Sequence, residues 1–212
     1  MEWAVEAGDQ LMVSWTLFRR SQQAADHDAA QVAGLAAAAR REAVGPPGPM
    51  LAAILQQEAH AYALAGAEIA CHSALDRAHL LAAAPDDPGD ASNGHGSFCT
   101  AAYLEMQRGA CWLTLGYPAK AIAALETAIQ SLPPAYRRDR GVAFSRQAAA
   151  FEAAGEPGEA ATAAMQALEI ARGSGSGRIL HMIIAVAGAL APHSQQEPVA
   201  GLRAALAETP AV

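Results

Sequence analysis

Small side chains recur at fixed intervals along this sequence, and that recurrence restricts the possible folds more than any other feature. Gly109, Ala121, Ala128 and Pro133 are separated by 12, 7 and 5 residues within AAYLEMQRGACWLTLGYPAKAIAALETAIQSLPP, residues 101–134. The spacing predicts two antiparallel helices in about 34 residues, a unit that cannot bury its apolar faces without neighbours. Gly109 keeps the helix crossing close, with Trp112 one turn further on, and Gly116 breaks the chain between the helices. Ala121 lets the second helix approach the first, Leu125 and Ala128 pack onward, and Pro133 ends the pair.

The same offsets recur in FSRQAAAFEAAGEPGEAATAAMQALEIAR, where Ala148, Phe151, Gly155, Ala160 and Ala167 take the matching places. Pro118 and Pro157 each follow their turn glycine by two residues, where a first helical turn tolerates proline. Ala121 and Ala160 lie 39 residues apart, so a linker longer than the usual period is expected within Pro134–Arg140. Upstream, Ala59, Tyr62, Gly66, Cys71, Leu75 and Ala78 fit one further unit. The 50 residues from Cys71 to Ala121 require an inserted loop, and DDPGDASNGHG supplies turn formers without apolar periodicity. The first unit fits less well, with His27 at the glycine position, Val32 at the alanine position and GPPGP (45–49) as its linker.

The expectation is thus an all-α, right-handed α-α superhelix of about four helix pairs in a single domain, 1–212. The pairs span roughly 13–46, 52–85, 102–135 and 141–174, with a mobile loop at 86–97. Capping helices are expected over 176–207, because the end of a stack must cover one side and face water on the other. EWAVEAGDQ reads as the tail of a second helix whose partner is missing, which suggests a piece of a longer parent protein.

Composition agrees. Hydrophobic residues make up 52% but aromatics only 5%, so alanine carries the apolar content, which favours close helices over a sheet sandwich. The net charge of −7 removes the electrostatic basis for direct nucleic-acid binding. Lys120 is the only lysine against thirteen arginines, a bias that points with the alanine excess to a GC-rich, actinobacterial genome. Cys71, Cys99 and Cys111 lack CxxC spacing and read as reduced, hydrophobe-like thiols. With no signal peptide and no apolar run of about 20 residues, a cytoplasmic location is expected.

WTLFRRSQQAA (15–25), ILQQEAHAYALAG (54–66), residues 101–129 and RGVAFSRQAAAFEAAGEPGEA (140–160) carry a family resemblance. The whole chain resembles the tetratricopeptide-like C-terminal half of actinobacterial helix-turn-helix (XRE-type) transcriptional regulators. In that family an N-terminal DNA-reading domain precedes helical repeats taken to sense a ligand or mediate self-association. No helix-turn-helix lies before residue 10, so DNA binding does not carry over. The resemblance implies a non-enzymatic module that senses a ligand or peptide or binds a protein within a transcriptional regulator. Alternatives are a free-standing protein–protein adaptor, or a small-molecule receptor with a pocket between repeats. The expected partner is a peptide or protein in the concave groove, with a homodimer as a further option; no cofactor, metal, nucleic acid or membrane is expected.

In such a stack the first helix of each pair lines the concave face. By this register the groove would present Phe18, Ser21, Gln56, Gln57, His60, Tyr103, Met106, Gln107, Arg146 and Glu152. Amides, a tyrosine, a histidine and an arginine suit an extended peptide, whose backbone needs donors and acceptors along its length. The bland alternative is a solvated helix face. A carboxylate clamp of lysines and asparagines is absent, since Lys120 falls outside the groove. His60, Cys71, His72, His79 and His95 lack zinc spacing, and the histidines read as surface residues. Asp86, Asp87 and Asp90 lack the rhythm of a calcium loop. No GxSxG surrounds Ser145, Ser174 or Ser176, and GSGSG (173–177) follows no strand and precedes no lysine, so it reads as a linker. Trp3, Trp15 and Trp112 are expected to be packing anchors.

Overall fold

The computed structural model describes residues 2–24, 28–45, 48–82 and 96–209, which form α-helices, one short 3₁₀ helix and no strand. The chain divides into two compact units, Met1–Leu115 and Gly116–Val212. The division falls in the turn of the third expected pair.

The first unit contains α1 (Glu2–Glu6), α2 (Gln10–Ala24), α3 (Ala29–Glu42), α4 (Gly48–Leu64), α5 (Glu68–Ala82) and α6 (Ala101–Thr114). Helices α2 and α3, and α4 and α5, pack as neighbouring pairs. Asp28 caps α3 by accepting from the Ala30 and Gln31 amides at 2.9 and 3.1 Å, and Thr100 caps α6 through the Tyr103 amide. The α4–α5 turn is closed by Gly66 at φ +71°, with the Ala67 amide reaching back to the Tyr62 carbonyl at 2.8 Å. That left-handed residue and its backward hydrogen bond end a helix within one residue.

The second unit contains α7 (Pro118–Ser131), α8 (Arg137–Ala153), α9 (Pro157–Ser174), α10 (Gly177–Ala189), the 3₁₀ turn Ala191–His193 and α11 (Glu197–Ala207). Pro118 and Pro157 open α7 and α9 as the sequence requires. The α8–α9 turn repeats the α4–α5 turn, with Gly155 at φ +78° and the Glu156 amide on the Phe151 carbonyl at 2.9 Å. Helix α8 starts at Arg137, so the expected linker over Pro134–Arg140 is shorter than its span. Arg140 instead works inside the helix, its Nη1 donating to the Ile129 and Leu132 carbonyls at the end of α7. Alanines of α9 meet Ile179 and Ile183 of α10 and Val199 and Leu202 of α11 in one core. Both closing helices bury one side and expose the other, as at Ile184, which is half exposed.

The small-residue register positions are interior: Val32, Cys71, Ala121 and Ala160 are fully buried, as are Ala78, Ala128 and Ala167, whereas Tyr62 is 40% exposed. Trp3 departs from expectation. It is 85% exposed on the single-turn α1, where no second helix covers it. The expected mobile loop lies mostly outside the described residues, with Asp86, Asp87, Asp90 and His95, as does His27. At its described end, Gly96 has φ +89°, and a Cβ there would lie 2.5 Å from the Met50 amide nitrogen.

Candidate functional site

Helix α4 has almost no solvent face. It packs against α2, α3, α5 and α6, and Gln56 and Gln57 are carried inward with it. Their amides become the middle of a buried polar ladder. Ser21 Oγ on α2 lies 3.4 Å from Gln57 Oε1 and 3.1 Å from the Val32 carbonyl. Gln57 Nε2 donates to Gln56 Oε1 at 3.3 Å, and Gln56 Nε2 donates to Gln107 Oε1 on α6 at 3.5 Å. The three amides are only 1%, 5% and 7% exposed, for Gln56, Gln57 and Gln107. Buried amides need partners, and here they supply one another. All three bonds are long compared with the usual 2.9–3.0 Å.

An aromatic cluster occupies the same unit. Phe18 lies 5.1 Å from Trp15 and stacks on Phe98 at 6.1 Å, while Phe98 meets Tyr103 edge-on at 5.0 Å. Phe98 was not anticipated, because it follows the long loop and belongs to no helical pattern.

Seven of the ten expected groove residues, Phe18, Ser21, Gln56, Gln57, Tyr103, Met106 and Gln107, are therefore gathered in one unit but buried. They do not form a solvent-open groove lining, because the helices around α4 cover that face. His60 is half-buried in the same unit. Arg146 and Glu152 are half-buried on α8 of the other unit, so they are described separately from the ladder. Burial raises the Asp139 carboxyl, against the opposing pull of Arg146 and Arg178.

A second polar cluster joins α5 to α6. Arg108 Nη2 pairs with Asp76 Oδ1 at 2.8 Å, and its Nε with Glu105 Oε1 at 3.1 Å. His79 Nε2 is 2.8 Å from Glu105 Oε1, within ion-pair distance. His79, the largest influence, and Arg108 hold the Glu105 carboxyl below its usual range against the opposing effect of burial. The His72 ring lies 3.7 Å from that of Trp112. Both histidines are thus tied to α6 rather than free on the surface, a placement hidden in the sequence because Glu105 and Trp112 lie far along the chain. Beneath them Cys71 and Cys111 are buried thiols, and a hydrogen bond from Cys111 chiefly lowers the Cys71 thiol.

Fold and site together define an all-α protein of neighbouring helix pairs, with a buried amide ladder in one unit. No protein-family model matches the chain, and neither a curated protein nor a solved structure matches it.

Proposed function

We propose that this chain is a non-enzymatic, tetratricopeptide-like binding module, the ligand-sensing or protein-interaction part of a bacterial transcriptional regulator. Its target is a peptide or protein segment read by the inner face of the first unit. The observation that carries this reading is the amide ladder. Amides from α4 and α6 and a hydroxyl from α2 are linked in series by contacts of 3.3–3.5 Å. Each primary amide offers two donors and two lone pairs. An extended backbone inserted along that series would offer shorter bonds than the amides offer one another. A segment that binds the opened arrangement better would shift the population toward it.

Affinity selection from a displayed peptide library with the intact chain tests the reading. It should enrich a sequence class that loses binding to a Ser21→Ala, Gln56→Leu, Gln107→Leu variant whose helix content is preserved. Failure to enrich any class, or equal binding to the folded variant, would overturn it. A second reading, a small-molecule receptor, rests on a separate observation: an open depression of about 440 Å³ between α9 and α11, with Met165, Leu202, Glu169 and Glu197 among its lining residues.

A further inference from the structure

Two of the three cysteines meet in the core of the first unit. Cys71 on α5 and Cys111 on α6 are fully buried in one apolar cluster with Ala59, Ala63, Ala74 and Leu75. The Cys111 thiol hydrogen-bonds to that of Cys71, so the two sulfurs are in contact where the helices pack. They lie 40 residues apart in sequence, and no local spacing announces the pair. Cys99 differs: burial alone acts on it and pushes its thiol up to about 12.

We propose that Cys71 and Cys111 form a redox-modification site, in which a peroxide oxidises the pair to a disulfide that staples α5 to α6 and a small thiol reverses it. The Cys71 sulfur attacks one oxygen of hydrogen peroxide, the O–O bond breaks, and hydroxide leaves with the thiol proton as water. The Cys111 sulfur then attacks the sulfenic sulfur so formed. The S–S bond forms, the S–O bond breaks, and a second water carries off the Cys111 proton. The two sulfurs together lose two electrons, and the peroxide oxygens gain them. Cys71 is the attacking thiol because the Cys111 hydrogen bond, the largest influence on it, lowers it, with burial opposing and the Arg108 charge assisting. Peroxide is little larger than water, so a local opening between the helices admits it where a bulkier thiol reagent stays out. Cys111 lies four residues beyond Gln107 on α6, so the staple fastens the helix that ends the amide ladder.

Mass-spectrometric peptide mapping of the intact, reduced chain after hydrogen peroxide, without denaturant, tests the proposal. Cys71–Cys111 should be the main crosslink, and dithiothreitol should remove it. Cys111→Ser, with its far-UV spectrum unchanged, should carry Cys71 on to the sulfinic acid, because nothing resolves the sulfenic stage. In an unfolded chain, loop closure favours Cys99–Cys111, 12 residues apart, over Cys71–Cys111 by about sixfold. The same oxidation in urea should therefore reverse the preference. A staple that fits the fold closes a long loop, so the oxidised chain should melt about 5–15 °C above the reduced one. A native chain that keeps three reduced thiols in excess peroxide overturns the proposal. So does one that couples Cys99 as readily as in urea, or an oxidised form that melts below the reduced one.

Discussion

Replacing Gln56 with leucine removes the centre of the amide ladder while nearly conserving volume. The substitution deprives Gln57 Nε2 of its acceptor and Gln107 Oε1 of a donor. Because the lost bonds measure 3.3 and 3.5 Å, their own contribution lies at the low end of the usual range, about 0.5 kcal/mol each. The larger loss comes from leaving a buried donor unsatisfied, about 1–3 kcal/mol. Leucine recovers part of this by burying apolar surface, so a net destabilisation of about 2 kcal/mol is expected. For a chain of this length that lowers Tm by about 4–8 °C. The double variant Gln56→Leu, Gln57→Leu removes both ends of the central bond, and Ser21 Oγ retains the Val32 carbonyl at 3.1 Å. Its loss should therefore be smaller than the sum of the two single losses, a coupling that a double-mutant cycle measures directly. Thermal and urea denaturation followed by far-UV circular dichroism provide the assay. A single variant as stable as the parent, or single losses that simply add, would refute the view of these amides as one coupled buried network.

Gly141→Ala would place a Cβ 2.6 Å from Ile179 Cδ1 and 2.9 Å from Ile170 Cγ2, so crowding of about 1–3 kcal/mol should outweigh the helix-propensity gain of about 1 kcal/mol. Gly201→Ala meets nothing within 4 Å and should stabilise by about 0.5–1 kcal/mol; urea midpoints moving in the same direction for both variants would contradict this contrast. A carboxyl depressed in the folded state contributes stability above its unfolded pKa, and that contribution is lost as pH falls through the folded value. Glu105 is such a group, so Glu105→Gln should flatten the loss of stability below about pH 5, and an unaltered acid limb would count against the His79–Glu105–Arg108 cluster. Cys71, Cys99 and Cys111 are buried, and burial pushes the Cys99 thiol up to about 12, so a thiol reagent should label all three only on unfolding. Labelling of the native chain at the rate of free cysteine would contradict their placement.

The helical periodicity, the alanine register and the turn glycines were legible because they are local. Val32, Cys71, Ala121 and Ala160 could be placed inside from spacing alone, since a helix presents the same face every three to four residues whatever it packs against. Gly66 and Gly155 announced their turns because few other residues adopt positive φ without strain. The candidate site was legible only in membership. Ser21, Gln56, Gln57 and Gln107 were picked out together as polar residues of successive helices, yet a polar side chain at a given register is the same letter whether water or another helix covers it.

What the amino-acid order settled by itself was therefore the helices, their turns and the small residues at which neighbouring helices approach. Tertiary structure decided the rest: that α4 is enclosed on nearly every side, that its glutamines bond to one another, and that His79 finds Glu105 on another helix. The physical reason is range. Helix formation depends on residues within a few positions of each other, whereas burial and pairing depend on helices separated by long stretches of chain, and no local pattern records which of them will meet.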